Sequence, residues 1–121
     1  APAASNWQAA QAALESGQLQ EAEQLYLAAL EAEPGSTEAL NNLGVLAGRR
    51  GALEEADARY RRAAELEPRH GAFQANLGIV ALQRGLWGQA APSLRRAIAL
   101  GQTAPQVTWT QPEGTWRLVR P

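Results

Sequence analysis

Gly51-Ala52-Leu53-Glu54-Glu55-Ala56 stands near the middle of the chain, and its pattern recurs on both sides at one offset. Thirty-four residues earlier the chain reads Gly17-Gln18-Leu19-Gln20-Glu21-Ala22, and thirty-four later Gly85-Leu86-Trp87-Gly88-Gln89-Ala90. Working outward, Tyr26, Tyr60 and Leu94 share the spacing, as do Ala29, Ala63 and Ala97. Pro34 and Pro68 share it too, with Gln102 where a third proline would fall. Upstream, Leu43-Gly44 returns as Leu77-Gly78, and Ala9-Ala10 is a smaller version in the first copy. Three copies align without insertion or deletion, and such a period marks a repeat architecture.

Each copy reads as two helices. In the middle copy Leu40, Leu43, Val45, Leu46 and Ala47 follow a helical stripe rather than strict alternation. Gly51 breaks that helix. A second stripe runs through Leu53, Ala56, Tyr60, Ala63, Ala64 and Leu66 until Pro68 stops it. The pattern predicts helices near 3–15, 19–33, 37–49, 53–67, 71–83 and 87–100, with Pro92 in or just past the first turn of the last. Gly44 and Gly78 fall in mid-helix, where glycine costs about 1 kcal/mol against alanine. A close helix crossing offsets that cost, with Ala56 and Ala90 as the expected facing residues and Tyr60 filling the gap beside them.

This 34-residue pattern resembles the tetratricopeptide repeat family over residues 3–104. The resemblance rests on Leu43, Gly44, Ala56, Tyr60, Ala63 and Pro68 with their counterparts. The first copy departs from it at Ala9-Ala10, and the third at Leu94 and Gln102. Departures at terminal units suit ends that face solvent or a cap. The resemblance implies an all-α, right-handed superhelical array of three units, 3–36, 37–70 and 71–104. It also implies a concave surface, lined by the first helix of each unit, that binds peptides or protein segments.

Residues 34 apart would form stripes across that groove. Gln8, Asn42 and Asn76 put three amides in register, each able to donate to and accept from a peptide backbone. The same positions also read as ordinary polar residues on a helix face. Gln11, Val45 and Ile79 form a partly apolar neighbour stripe for ligand side chains. Asn41 stands in a third, with Trp7 and Ala75, where Trp7 is either a groove anchor or a cover for the first unit. Glu38, Arg49 and Gln83, on the same helices, complete the expected peptide-binding set. Some family members grip a ligand's C-terminal carboxylate with two lysines, an arginine and two asparagines. Here only Asn42 matches, with Trp7, Gln11, Ala72 and Asn76 in the other places, so the resemblance does not extend to capture of a chaperone's acidic tail.

Composition narrows the function classes. The net charge is -1, which excludes a strongly basic nucleic-acid binder or a polybasic membrane anchor. All basic side chains are arginine, as a GC-rich bacterial genome would give. There is no cysteine and one histidine, His70, read as a solvated turn residue, so no metal or other cofactor is expected. No apolar run reaches the length of a membrane span. No phosphate-binding glycine loop, nucleophile elbow or catalytic histidine constellation is visible, and adjacent carboxylates such as Glu54-Glu55 read as a solvated face. The reading is a non-catalytic interaction module, with a self-assembling scaffold as the alternative. The opening Ala1-Pro2-Ala3-Ala4-Ser5 fits a mature exported end or a trimmed boundary, leaving periplasmic and cytoplasmic locations open.

Charge is sorted along the chain. Residues 1–36 carry Glu15, Glu21, Glu23, Glu31 and Glu33 with no arginine, and 71–104 carry Arg84, Arg95 and Arg96 with no acid. This suits head-to-tail association to a homo-oligomer or a polarised ligand, and equally a random placement of solvated charges. After Gln102 the composition changes. Val107–Thr110 and Thr115–Val119 read as strands around a Gln111-Pro112-Glu113-Gly114 turn, so 105–121 is expected to be a hairpin or a linker. Such a hairpin would pair Trp109 with Trp116 and Val107 with Leu118, and its expected docking place is the end of the third unit near Trp87 and Leu94. It could instead be an assembly element or the start of a further β domain.

Overall fold

A computed structural model describes residues 3–101, with side chains from Trp7 onward, and the backbone of 108–111 and 114–117. Six helices follow one another: α1 (Ala3–Glu15), α2 (Leu19–Ala32), α3 (Thr37–Arg49), α4 (Leu53–Leu66), α5 (Gly71–Gln83) and α6 (Trp87–Ala99). Each odd-numbered helix packs on the next, and α2–α3 and α4–α5 contacts join the pairs. Two short strands, β1 (Thr108–Gln111) and β2 (Gly114–Arg117), run antiparallel with Trp109 opposite Trp116. The expected Val107–Leu118 pair and the docking of the tail lie outside the described residues.

Turns explain the repeat's punctuation. Gly17, Gly51 and Gly85 take φ of 80°, 78° and 75°, a left-handed conformation that closes each helix pair and favours glycine. The second helices stop one residue short of their expected ends. Glu33 and Glu67 sit at φ -134° with ψ 87° and 78°, because a residue preceding proline is pushed out of the helical region. Leu100 stays near the helical region and Gly101 turns left-handed at φ 87°, since no proline follows. Pro92 lies just past the first turn of α6, where only the amide that would bond the Gly88 carbonyl is missing.

The core is shared between neighbours. Leu43 and Leu46 of α3 lie in one apolar cluster with Ala10, Ala13, Ala22 and Tyr26 of the first pair. Phe73, Leu77 and Val80 of α5 complete a second cluster with Leu40, Ala47, Ala56, Tyr60 and Ala63. Leu30 packs against both. Neither cluster is confined to one helix pair, so each pair depends on the next for burial.

The mid-helix glycines face larger groups than their spacing suggested. A Cβ on Gly44 would lie 2.5–2.9 Å from the Tyr60 ring, so the ring itself, rather than Ala56, covers the glycine. At Gly78 the same position meets Leu94 at 2.7 Å and the Ala90 carbonyl at 3.3 Å. In the first pair, alanine (Ala10) stands in register with Gly44 and Tyr26 with Tyr60, both fully buried. Among the described residues the enclosed Tyr26 hydroxyl has no hydrogen-bond partner. Burial, then the Glu15 and Glu38 carboxylates, push its ionisation above the usual range. Burial pushes Tyr60 up to about 12.

Gly44→Leu is expected to lower stability by about 1–3 kcal/mol or more as overpacking against the Tyr60 ring. In a cycle of Gly44→Ala with Tyr60→Ala, the double variant should lose less than the sum of the singles. Chemical denaturation checks both, and an unchanged midpoint for Gly44→Leu would contradict the contact.

Candidate peptide-binding face

On α3 the side chains of Glu38, Asn42, Val45 and Arg49 recur every three or four residues and so share one side of the helix. Asn76, Ile79 and Gln83 repeat that side on α5, and Gln8 and Gln11 repeat it on α1. Asn41, Asn42, Val45, Asn76 and Ile79 are half-buried, whereas Gln8, Gln11, Glu38, Arg49 and Gln83 are exposed. The result is a recessed polar and apolar centre flanked by longer, solvated side chains. Ser36 begins α3 by accepting from the Ala39 amide at 3.3 Å, which sets the register of this stripe.

The amides do not act as a row of equals. Asn76 Nδ2 donates to Asn41 Oδ1 at 2.8 Å, bridging α3 and α5. The partners are 35 residues apart, one off the repeat period, so the stripe of Gln8, Asn42 and Asn76 did not reveal the pair. Asn41, assigned to the third stripe with Trp7 and Ala75, thereby orients Asn76. Trp7 is half-buried and packs against the first apolar cluster, as a cover over it.

Charged groups that spacing left unassigned form the seams between pairs. Asp57, 9% exposed, accepts from Arg61 at 3.2 Å and pairs with Arg84 of the next helix pair at 3.7 Å. The Asp57–Arg61 spacing is that of a helical ion pair and was legible. The Arg84 partner needed the fold. Arg50 bridges Glu23 at 3.3 Å and Glu55 at 2.7 Å, so Glu55 belongs to an ion pair rather than a solvated face, while Glu54 is exposed. Thr37 donates to the Glu67 carboxylate across one repeat. His70, at the start of α5, is exposed but not merely solvated, for its ring stacks on Phe73 with centroids 3.8 Å apart. Among the described residues no acidic or histidine cluster is placed to hold a metal ion, and no helix is long and apolar enough to cross a membrane.

The tetratricopeptide repeat family model matches residues 8–58 and 46–105, and the chain belongs to that family. No curated protein matches in sequence. Among solved structures, a crystal structure of MamA aligns with a TM-score of 0.78 at 17% identity, covering 83% of this chain and 58% of that one. The second repeat domain of Spaghetti (RPAP3), bound to the HSP90 peptide SRMEEVD, aligns with a TM-score of 0.77 at 17% identity, covering 81% and 91%. YrrB, described as having an unusual peptide-binding site, aligns at 0.75 and 21% identity, covering 83% and 52%. The chain thus spans little more than half of the MamA and YrrB structures.

Asp57→Ala is expected to cost about 1–3 kcal/mol, because it removes a mostly buried acceptor and leaves Arg84 without its carboxylate. Arg84→Ala should cost less in the Asp57→Ala background than in the native chain, as thermal denaturation of the four-member cycle would read.

Proposed function

We infer that the chain is a non-catalytic interaction module that binds a peptide or protein segment across the face carrying Gln8, Gln11, Glu38, Asn41, Asn42, Val45, Arg49, Asn76, Ile79 and Gln83. The observation that supports this reading most is the recessed centre of Asn42, Val45, Asn76 and Ile79 on successive first helices. Asn42 offers both a donor and an acceptor to an extended backbone, and Val45 and Ile79 offer apolar contact to its side chains. The solved relatives that hold or are described as binding peptides favour the same use of the fold. The missing basic residues argue for a ligand other than a chaperone's acidic tail. We take 3–36, 37–70 and 71–104 as the units of this module and 105–121 as a C-terminal extension, a hairpin or a linker.

A peptide selected from a random library against the chain provides the test. Asn42→Ala with Ile79→Ala should weaken its binding about tenfold or more, while helical circular dichroism stays unchanged. NMR shifts confined to the second helices would refute the assignment.

The sorting of charge favours a second reading, self-association between the acidic first unit and the basic third. Exposed charges are screened beyond about 10 Å at ordinary ionic strength, so association should weaken with salt. Sedimentation at low and high salt, on the full chain and on one ending at residue 104, separates a charge-driven contact from one made by the tail. Monomers throughout would eliminate this reading.

A further inference from the structure

A cleft lies between the second helices α4 and α6, with α5 as its floor. One part, about 230 Å³, is lined by Arg61, Leu77, Ala81, Pro92, Ser93 and Arg96. An adjoining part of about 260 Å³ shares Arg61, Leu77 and Arg96 and reaches Gln74 and Glu65. At 3.6 residues per turn, Gln74, Leu77 and Ala81 point to the opposite side of α5 from Asn76, Ile79 and Gln83. The cleft is therefore separate from the peptide-binding face and does not depend on it.

Its polar groups are arranged for an anion. Gln74, 5% exposed, donates to the Pro68 carbonyl at 3.2 Å, which turns its own oxygen to accept from Arg96 at 3.4 Å. That amide is the one polar partner of Arg96 among the described residues, so the Arg96 guanidinium has no carboxylate opposite it. Ser93 is 6% exposed and lines the cleft, yet its hydroxyl makes no hydrogen bond among the described residues. Arg61, on the opposite wall, is paired with Asp57 at 3.2 Å, and Glu65 on the rim is paired with Arg62 at 3.6 Å. Positive charge is left over beside an apolar floor of Leu77, Ala81 and Pro92.

We propose that this cleft is a second binding site, which takes an acidic residue flanked by apolar side chains from a partner polypeptide. Arg96 meets the carboxylate, the Ser93 hydroxyl donates to it, and Gln74 holds Arg96 in place. The flanking apolar side chains cover Leu77, Ala81 and Pro92. The exposure of its walls decides for a polypeptide. Arg61 and Arg96 are both exposed, so a free acid would stay solvated on one side and bury too little to offset its lost freedom. A residue already tethered in a longer segment has less of that freedom to lose.

The test titrates the chain with acetyl-leucyl-glutamyl-leucine amide and with its glutaminyl counterpart, followed by NMR. The glutamyl peptide should move the Gln74, Leu77 and Ser93 resonances saturably, and the glutaminyl one should bind about tenfold more weakly. Arg96→Gln, an exposed change that leaves the helices intact by circular dichroism, should produce a similar loss, and Ser93→Ala a smaller one. Equal binding of the two peptides, shifts on Asn42, Val45 and Ile79 instead, or no saturable shift would overturn the proposal. So would tighter binding of 4-phenylbutyrate at the same resonances, which would make the ligand a free acid.

Discussion

Close approach between the two helices of a pair is the constraint on which the rest of this structure depends. Gly44 lies beneath the ring of Tyr60, and Gly78 beneath Leu94, with no room for a side chain at either glycine. Glycine in mid-helix weakens the helix on its own, so the contact holds only because the large group opposite fills the space. Once α3 and α4 are locked together, the opposite side of α3 is directed at the previous pair, and Leu43 and Leu46 complete that pair's core. The odd-numbered helices are left with one further side, and that side carries Asn42, Val45, Asn76 and Ile79. Pair geometry, array and the proposed binding face follow in that order.

Electrostatics acts at the seams rather than in the cores. Arg50 spans carboxylates from two repeats, and Asp57 collects guanidiniums from its own helix and the following pair. Most of these groups are partly exposed, so each contact is worth little alone. Asp57 differs because it is buried and its partners come from both sides of a seam. Such a group ties the relative placement of two pairs to one carboxylate.

The helices were legible because glycine and alanine recur with an unbroken period, with a large residue (Tyr26, Tyr60, Leu94) beside them, and each type answers to a distinct backbone or packing need. The ends of α2 and α4 came within one residue of expectation, and the proline that follows each sets the conformation of the glutamate before it. The expected binding residues lie together on the odd-numbered helices, as a fixed period on parallel elements requires. The Asn41–Asn76 bond was not legible: it joins positions that differ by one from the period, and only the offset between neighbouring helices brings them into reach. Gln74 and Ser93 carried no sequence signal either. Each is a single polar residue in an apolar stripe, and its surroundings come from helices distant in sequence.

The end of α6 has a consequence for how such an array can grow. After α2 and α4 the chain passes through an extended glutamate and a proline, and that geometry starts the next pair. After α6 the junction instead holds Leu100 near the helical region and a left-handed Gly101. A duplicated 34-residue unit could enter at the junction near residue 70 and find the same backbone on both sides. Lengthening this solenoid by duplicating an internal unit thus keeps every junction it meets the same.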